Sequence, residues 1–278
     1  MKAWWQGTKG AVLGQGTVEK GQRFDIEGNS LFYPTEFRKG SSSGGIFLVP
    51  ARVANEFIAD SGFEVARAAP GRAIFSLSCV HYTDTDCGAY DEIAMAFFVN
   101  PKGKCLGFPY FQVWRDLAAG QLPTYTWKLP VSSTLARDAG RFMWGFPKTV
   151  EEIDFEDSGG HASFTLRMSG QEVLKYSVAS IGTSSPAPVS SPVYSNFAGR
   201  PHVSFLTQRY EDSSFKFRGG ELTLGNHPVA DALRALKLGK TPLLSSWMGK
   251  LHFDMSAPTP LVPSEEDLHK SHGIRGGR

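Results

Sequence analysis

The sequence has few cysteines and no long apolar run. Its three cysteines, Cys79, Cys87 and Cys105, form no Cys-x-x-Cys pair, so neither a disulfide framework nor a zinc knuckle is predicted. Unpaired thiols are typical of a reducing compartment and favour a cytoplasmic protein. No stretch reaches the roughly 18 apolar residues of a membrane helix, and the N-terminus lacks the apolar run of a signal peptide. We therefore expect a soluble protein that is neither secreted nor bound to a membrane.

An excess of one charge is also missing, as are the usual cofactor motifs. The formal net charge is +2, from 29 basic and 27 acidic residues, so no nucleic-acid partner is expected. The seven histidines include no His-x-x-x-His pair with a nearby third ligand, so no metal site is predicted. Residues 14–16 lack the third glycine of a dinucleotide-binding loop, and no dissociable cofactor is expected.

What the sequence does contain is a series of short alternating runs, punctuated by 30 glycines and 17 prolines. Apolar and polar residues alternate over 72–82, 161–168 and 249–255, which predicts strands with one buried face. The pattern is typical of antiparallel sheet, so we predict an α+β fold that is predominantly antiparallel β, as a barrel or sandwich in one domain. Segments 41–45 and 184–188 are predicted to be flexible or extended loops.

Two helices are predicted. The first covers 133–143, with Ser132 or Ser133 as its cap, an apolar stripe that includes Phe142, and Gly145 near its end. The second begins at Pro228, carries Val229, Leu233 and Leu236 as its apolar stripe, and stops near Gly239.

Lys148 is the first residue of chemical interest. It follows a glycine and a proline at the end of the first predicted helix, beside Met143, Trp144 and Phe146. Desolvation by such neighbours disfavours the charged form of a lysine and makes the neutral amine available for attack on a carbonyl. From pattern alone, a lysine after proline is more often a surface residue.

Glu92 and His81 are the next candidates. Alternation places Glu92 on one strand face with Ala94 and Ala96, where a carboxylate either looks into a cavity or marks the exposed end of the strand. His81 falls on the apolar face of the strand at 72–82. It is either a core histidine with satisfied hydrogen bonds or a proton carrier.

Two segments together resemble the motif pair of the acetoacetate decarboxylase superfamily. They are Tyr-Asp-Glu at 90–92 and, about fifty residues later, Arg-x-x-Trp-Gly-Phe-Pro-Lys at 141–148. The resemblance covers roughly residues 30–262, which we take as the domain. Residues 1–29 are then an N-terminal extension, and residues 263–278 a flexible C-terminal tail.

The resemblance implies a cone-like closed β-barrel with a few short helices, an interior active site and a homo-oligomer. It implies that Lys148 forms a Schiff base with a small keto acid and that Glu92 is the acidic catalytic residue. Arg141 matches the family arginine and is expected to bind a substrate carboxylate through its paired donors. His81 and Trp144 are candidate supporting residues.

The chain departs from acetoacetate decarboxylases at Thr149, where those enzymes carry a second lysine. The leading hypothesis is a lyase that decarboxylates a β-keto acid such as acetoacetate without a cofactor. One alternative is an aldolase-dehydratase that acts on pyruvate and an aldehyde through the same lysine. Another is a non-catalytic barrel that binds a small ligand.

Overall fold

The structure is a computed structural model that describes residues 21–103, 110–197 and 199–261. Most of the expected N-terminal extension, Cys105 and the expected tail at 263–278 lie outside these residues, as does the segment 14–16. The remainder of the expected extension belongs to a β-hairpin, β1–β2, whose Ile26 and Leu31 are buried in one cluster with Ala139.

The described residues form seventeen strands and four helices. The strands are β1 (Arg23–Ile26), β2 (Asn29–Phe32), β3 (Thr35–Pro50), β4 (Phe63–Val65), β5 (Arg67–Ala69), β6 (Arg72–Thr85), β7 (Tyr90–Pro101), β8 (Thr124–Val131), β9 (Lys148–Val150), β10 (Glu152–Ser158), β11 (His161–Met168), β12 (Gln171–Ala179), β13 (Val189–Phe197), β14 (Arg200–Phe217), β15 (Gly220–Leu224), β16 (Leu244–Met255) and β17 (Thr259–Pro260). The helices are α1 (Ala51–Phe57), α2 (Phe111–Ala118), α3 (Thr134–Trp144) and α4 (Pro228–Ala235). The prediction of a mostly antiparallel β fold with a few helices is confirmed.

The larger sheet follows the strand order β7-β6-β3-β16-β14-β13-β8, and β8 pairs again with β7. We call these seven strands the ring. Its pairings are antiparallel except between β13 and β8, and β9 extends the sheet by pairing in parallel with β8. The inner face of the ring holds the site described below.

The main core lies between the outer face of the ring and a second, four-stranded sheet, β10-β11-β12-β15. On β7, Ile93, Met95 and Phe97 are fully buried in this core, whereas Glu92, Ala94 and Ala96, which alternate with them, face a cavity inside the ring. Burying each large apolar side chain contributes about 1.5–3 kcal/mol. This period-two burial fixes which side chains of β7 reach the cavity.

The prediction of a loop at 41–45 is wrong, because these residues lie in the middle of β3. Their glycines permit close approach to other strands. A Cβ on Gly44 would lie 2.5 Å from Oγ of Ser246, and one on Gly45 would lie 2.9 Å from Oη of Tyr176. Tyr176 donates a hydrogen bond from the second sheet to the carbonyl of Gly44 at 2.6 Å. Glycine here serves packing between strands.

Both predicted helices are present, as α3 and α4. Ser133 caps α3 by accepting a hydrogen bond from the N–H of Ala136. Phe142, which the apolar stripe predicted to be buried, is 63% exposed. Helix α4 ends at Ala235, before the predicted stop at Gly239. Among the described residues, no helix is both long and apolar enough to cross a membrane.

Candidate active site

The end of α3 positions Lys148 beside the ring. Gly145 takes a left-handed conformation, with φ of 70°, and its N–H donates to the carbonyl of Arg141. This closes the helix with a glycine cap, and Pro147 cannot continue it. Lys148 then begins β9, where it pairs with Leu129 of β8. The turn thus brings the lysine onto a strand of the larger sheet directly after the helix.

The amine of Lys148 is buried and paired with a carboxylate. Its Nζ lies 2.7 Å from Oε2 of Glu92, and the two side chains are 8% and 13% exposed. Nζ also lies 5.2 Å from the centroid of the Tyr90 ring. Removing one partner of a buried pair leaves an uncompensated charge, which typically costs about 3–5 kcal/mol. Each side chain therefore holds the other in position.

Two buried tyrosines flank this pair. The hydroxyl of Tyr82 lies 3.4 Å from Oε1 of Glu92, a long hydrogen bond, and the rings of Tyr82 and Tyr90 are 4.6 Å apart. Burial, together with the nearby Glu92 carboxylate, raises the pKa of both tyrosines well above the ordinary value. Both hydroxyls consequently stay protonated and can serve only as neutral donors toward the carboxylate.

The pair opens into a cavity of about 680 Å³ that is lined by residues from all seven strands of the ring. Among the described residues that line it, Lys148 and Glu92 are the only members of the Lys, Arg, Asp and Glu classes. Aromatic rings surround the end that holds the pair: Phe37, Tyr82, Tyr90, Trp144, Phe146 and Phe253. The site is thus one ion pair in a largely apolar chamber, the setting in which a charge interacts most strongly.

Arg141 does not line this cavity. It is exposed, and its Nε donates to the backbone carbonyl of Lys148 at 2.7 Å. The guanidinium therefore fixes the backbone of the lysine from outside. Binding of a substrate carboxylate by Arg141 remains a prediction, and this position does not favour it.

His81 and Trp144 lie on different sides of the sheet. His81 is on the outer face of β6, where its Nδ1 is 2.7 Å from Oδ1 of Asp91 and its ring stacks on Phe155. It does not line the cavity, so it cannot pass a proton directly to a ligand there. Trp144 does line the cavity, and its indole N–H donates to the carbonyl of Ser256 at 2.8 Å. The tryptophan is held as a fixed apolar wall.

The sequence analysis missed two residues that shape the site. Tyr82 reaches Glu92 because β6 and β7 pair in a register that places Tyr82 opposite Tyr90. Gly140 lies inside α3 directly beneath the side chain of Lys148. An isolated glycine within a helical pattern was the available signal, since glycine there normally destabilises the helix.

This arrangement can do acid–base chemistry at a carbonyl group. A carboxylate in contact with an ammonium can accept its proton, which leaves a neutral nucleophile beside a protonated acid. No group of three or more His, Cys, Asp or Glu suited to a metal ion occurs within residues 21–103, 110–197 and 199–261.

Comparisons with known proteins agree with this architecture. The model of the acetoacetate decarboxylase family matches residues 33–257. No curated protein matches the chain significantly.

Three solved structures share the fold at low sequence identity. An acetoacetate decarboxylase has 15% identity and a TM-score of 0.57, with 82% of this chain and 89% of that chain covered. The acetoacetate decarboxylase of Legionella pneumophila subsp. pneumophila str. Philadelphia 1 has 15% identity and a TM-score of 0.56, with coverage of 82% and 87%. The enduracididine biosynthesis enzyme MppR, complexed with pyruvate, has 16% identity and a TM-score of 0.53, with coverage of 89% and 95%.

Proposed function

Because the chain belongs to the acetoacetate decarboxylase family, we propose that it is an imine-forming carbon–carbon lyase that decarboxylates a β-keto acid through Lys148. The observation that carries the proposal is the buried contact between Nζ of Lys148 and Glu92 at 2.7 Å, in a cavity with no other charged lining residue among those described. The reaction uses the lysine as nucleophile and the carboxylate as its acid–base partner.

The first half of the reaction forms the imine. Glu92 accepts a proton from the ammonium of Lys148, and the neutral amine attacks the carbonyl carbon of the substrate. The resulting carbinolamine loses water as Glu92 returns the proton. The product of these steps is a protonated imine that links Lys148 to the substrate.

The second half breaks the carbon–carbon bond. Carbon dioxide leaves, and the bonding electron pair passes to the imine nitrogen to give an enamine. Protonation of the enamine carbon, followed by hydrolysis, releases the ketone and restores Lys148. The imine itself is the electron sink, so this chemistry requires no dissociable cofactor.

The charges of the cavity favour decarboxylation. A substrate carboxylate would find no cation on the cavity wall other than Lys148 itself, among the described lining residues. An unpaired carboxylate in apolar surroundings is unfavourable. Loss of carbon dioxide removes that charge as the transition state is reached, so the apolar wall stabilises the transition state relative to the bound acid.

A second candidate is condensation of pyruvate with an aldehyde through the same imine. It is supported by the likeness in fold to MppR complexed with pyruvate and by Thr149, which replaces the second lysine of acetoacetate decarboxylases. Its product retains the carboxylate, which the cavity leaves without a second cation. We therefore place decarboxylation first.

The test is reductive trapping. The protein is incubated with acetoacetate or pyruvate and borohydride, followed by intact-mass measurement and peptide mapping. We expect a reduced adduct on Lys148, and carbon dioxide release from acetoacetate in the absence of borohydride. Neither Lys148→Ala nor Lys148→Arg should form the adduct, because a guanidinium does not supply a neutral nucleophile.

Lys128→Ala is the matched control, since Lys128 lies on β8 but does not line the cavity. It should retain both adduct and turnover. An adduct with pyruvate and condensation with an aldehyde, without carbon dioxide release, would select the second candidate. Folded protein that forms no adduct with any keto acid would indicate a chamber that binds ligands without turnover.

A further inference from the structure

The cavity continues well beyond the ion pair. Glu92 and Phe98 both line it and are six residues apart on β7, which corresponds to about 20 Å at roughly 3.3 Å per residue. On β8, lining residues run from Thr124 to Leu129, and Leu129 pairs with Lys148. The pair therefore occupies one end of an elongated chamber, and Phe98 and Thr124 mark the other.

Small side chains widen the middle of this chamber. On β7 and β6, the inward-facing residues between the two ends are alanine or serine, and a glycine and a serine lie beside them on β3 and β16. They are Ala94, Ala96, Ser76, Ser78, Gly44 and Ser246, with the larger Ile46 and Leu244 next to Ser76 on the chamber wall. Side chains of ordinary size at these positions would fill the chamber and leave only the space beside Lys148. The small residues thus open a passage along the strands.

The far end is mainly apolar. It is lined by Phe98, by Leu122 and by Trp114 and Leu117 of α2, with the hydroxyl groups of Thr124 and Ser191 nearby. The indole N–H of Trp114 is already bonded to the carbonyl of Ala68 at 2.9 Å, so the ring presents carbon atoms to the chamber. This end fits a hydrocarbon group, and none of the described residues that line it carries a charge to pair with a second charged group.

We propose that the far end is a binding compartment for a long apolar substituent, so that the substrate is a β-keto acid whose ketone carries an extended alkyl chain. The inference rests on the proposed function, since it takes Lys148 as the point of attachment. Acetoacetate carries only a methyl group beyond its carbonyl and would contact none of the far end. A longer substituent reaches it while the carbonyl stays at the lysine.

The experiment compares the series acetoacetate, hexanoylacetate and dodecanoylacetate, of which only the last carries a chain long enough to approach the far end. Carbon dioxide release is measured as kcat/KM, with Lys148→Ala as the baseline for spontaneous decarboxylation. Burial of a methylene favours binding by up to about fourfold, so we expect kcat/KM to rise from acetoacetate to hexanoylacetate and to rise again from hexanoylacetate to dodecanoylacetate.

Ala96→Leu narrows the middle of the chamber and tests its use directly. We expect kcat/KM for dodecanoylacetate to fall about tenfold or more, with little change for acetoacetate, because the added groups block the passage beyond the lysine. Ala119→Leu is the matched control. Ala119 is exposed next to the far end and does not line the chamber, so this variant should behave as wild type.

If kcat/KM of the wild type did not rise with the length of the substrate chain, the inference would be overturned even if Ala96→Leu failed to fold. An equal effect of Ala96→Leu on short and long substrates would also overturn it. Reductive trapping separates these results from failure of the proposed function. If an adduct forms on Lys148 but kcat/KM does not depend on chain length, only the proposed compartment is contradicted. If no adduct forms, the proposed lyase function is contradicted as well.

Discussion

The side chain of Lys148 crosses α3 at Gly140, where the helix has no side chain to obstruct it. A Cβ at position 140 would lie 2.6 Å from Cε of Lys148 and 3.1 Å from its Cγ. Glycine in a helix interior is less stable than alanine by about 0.8–1 kcal/mol. The helix therefore contains a locally unfavourable residue whose absence of a side chain gives the lysine its path to Glu92.

Gly140→Ala should separate activity from stability. The new methyl group displaces the flexible stem of Lys148 and moves the amine away from Glu92, and a shift of about 1 Å can lower the rate about a hundredfold. We expect kcat to fall by that order. The free energy of unfolding should change little, because the gain in helix propensity offsets the new contact. Steady-state kinetics and urea unfolding measure the two effects.

Gly239→Ala is the control. A Cβ at Gly239 would meet only atoms at ordinary contact distance, and the residue is exposed. It should leave activity unchanged. Full activity of Gly140→Ala would show that the lysine does not need this path.

Strand alternation predicted much of the fold, because one face of each strand is buried against a second layer. It identified β6, β11 and the second half of β16, and capping residues identified α3 and α4. The ring could not be predicted in this way, since the return of β8 to β7 depends on pairing between distant segments. Helices α1 and α2 were missed because no capping side chain marks their start, whereas the equally short α4 begins with a proline in its first turn.

The candidate site likewise has features that the sequence predicted and features that it did not. Period-two alternation placed Glu92 on one face with Ala94 and Ala96 but left open whether that face meets a cavity, and the structure has all three on the cavity wall. The contact of Arg141 with the carbonyl of Lys148 depends on how the chain returns after Gly145, which sequence spacing does not specify. The motif therefore located the neighbourhood of the lysine but not the direction of each side chain.

Glu92→Gln should slow the reaction while preserving shape. The amide cannot exchange a proton with Lys148, and loss of a general acid–base group typically lowers kcat about 10²–10⁴-fold. Steady-state kinetics and the rate of reductive trapping measure the loss, and both should fall together because imine formation is the affected step.

Asp91→Asn is the matched control, since Asp91 is the adjacent carboxylate and pairs with His81 on the outer face of the sheet. It should leave kcat close to that of the wild type, as should His81→Gln. A large loss in either outer-face variant would mean that protons reach the cavity through His81, contrary to the geometry.

Arg141→Gln distinguishes two roles for the arginine. If the guanidinium positions the backbone of Lys148, kcat falls and KM changes little. If it binds the substrate carboxylate, KM rises instead. We expect the first pattern, measured with acetoacetate and hexanoylacetate. Arg137→Gln is the control, because Arg137 also lies on α3 but pairs with Asp138; it should alter neither constant.

Tyr82 gives a prediction for alkaline solution. Burial and the carboxylate of Glu92 raise the pKa of Tyr82 in the folded protein well above its value of 10.0 in the unfolded chain. The folded state then keeps the proton that the unfolded state loses, so this contribution to stability is complete below pH 10 and is lost as the pH rises above it. The free energy of unfolding should decrease above pH 10 by up to about 1.4 kcal/mol per pH unit for each such tyrosine.

Tyr82→Phe removes one of these groups. Urea unfolding between pH 9 and pH 12 should show a slope that becomes shallower than in the wild type above pH 10, by up to about 1.4 kcal/mol per pH unit at the top of this range, while the slopes below pH 9 nearly coincide. The region below pH 9 serves as the internal control, because no tyrosine ionises there in either state. Identical slopes above pH 10 would mean that the Tyr82 hydroxyl ionises as readily in the folded protein as in the unfolded chain, and that Glu92 does not face a permanently protonated donor.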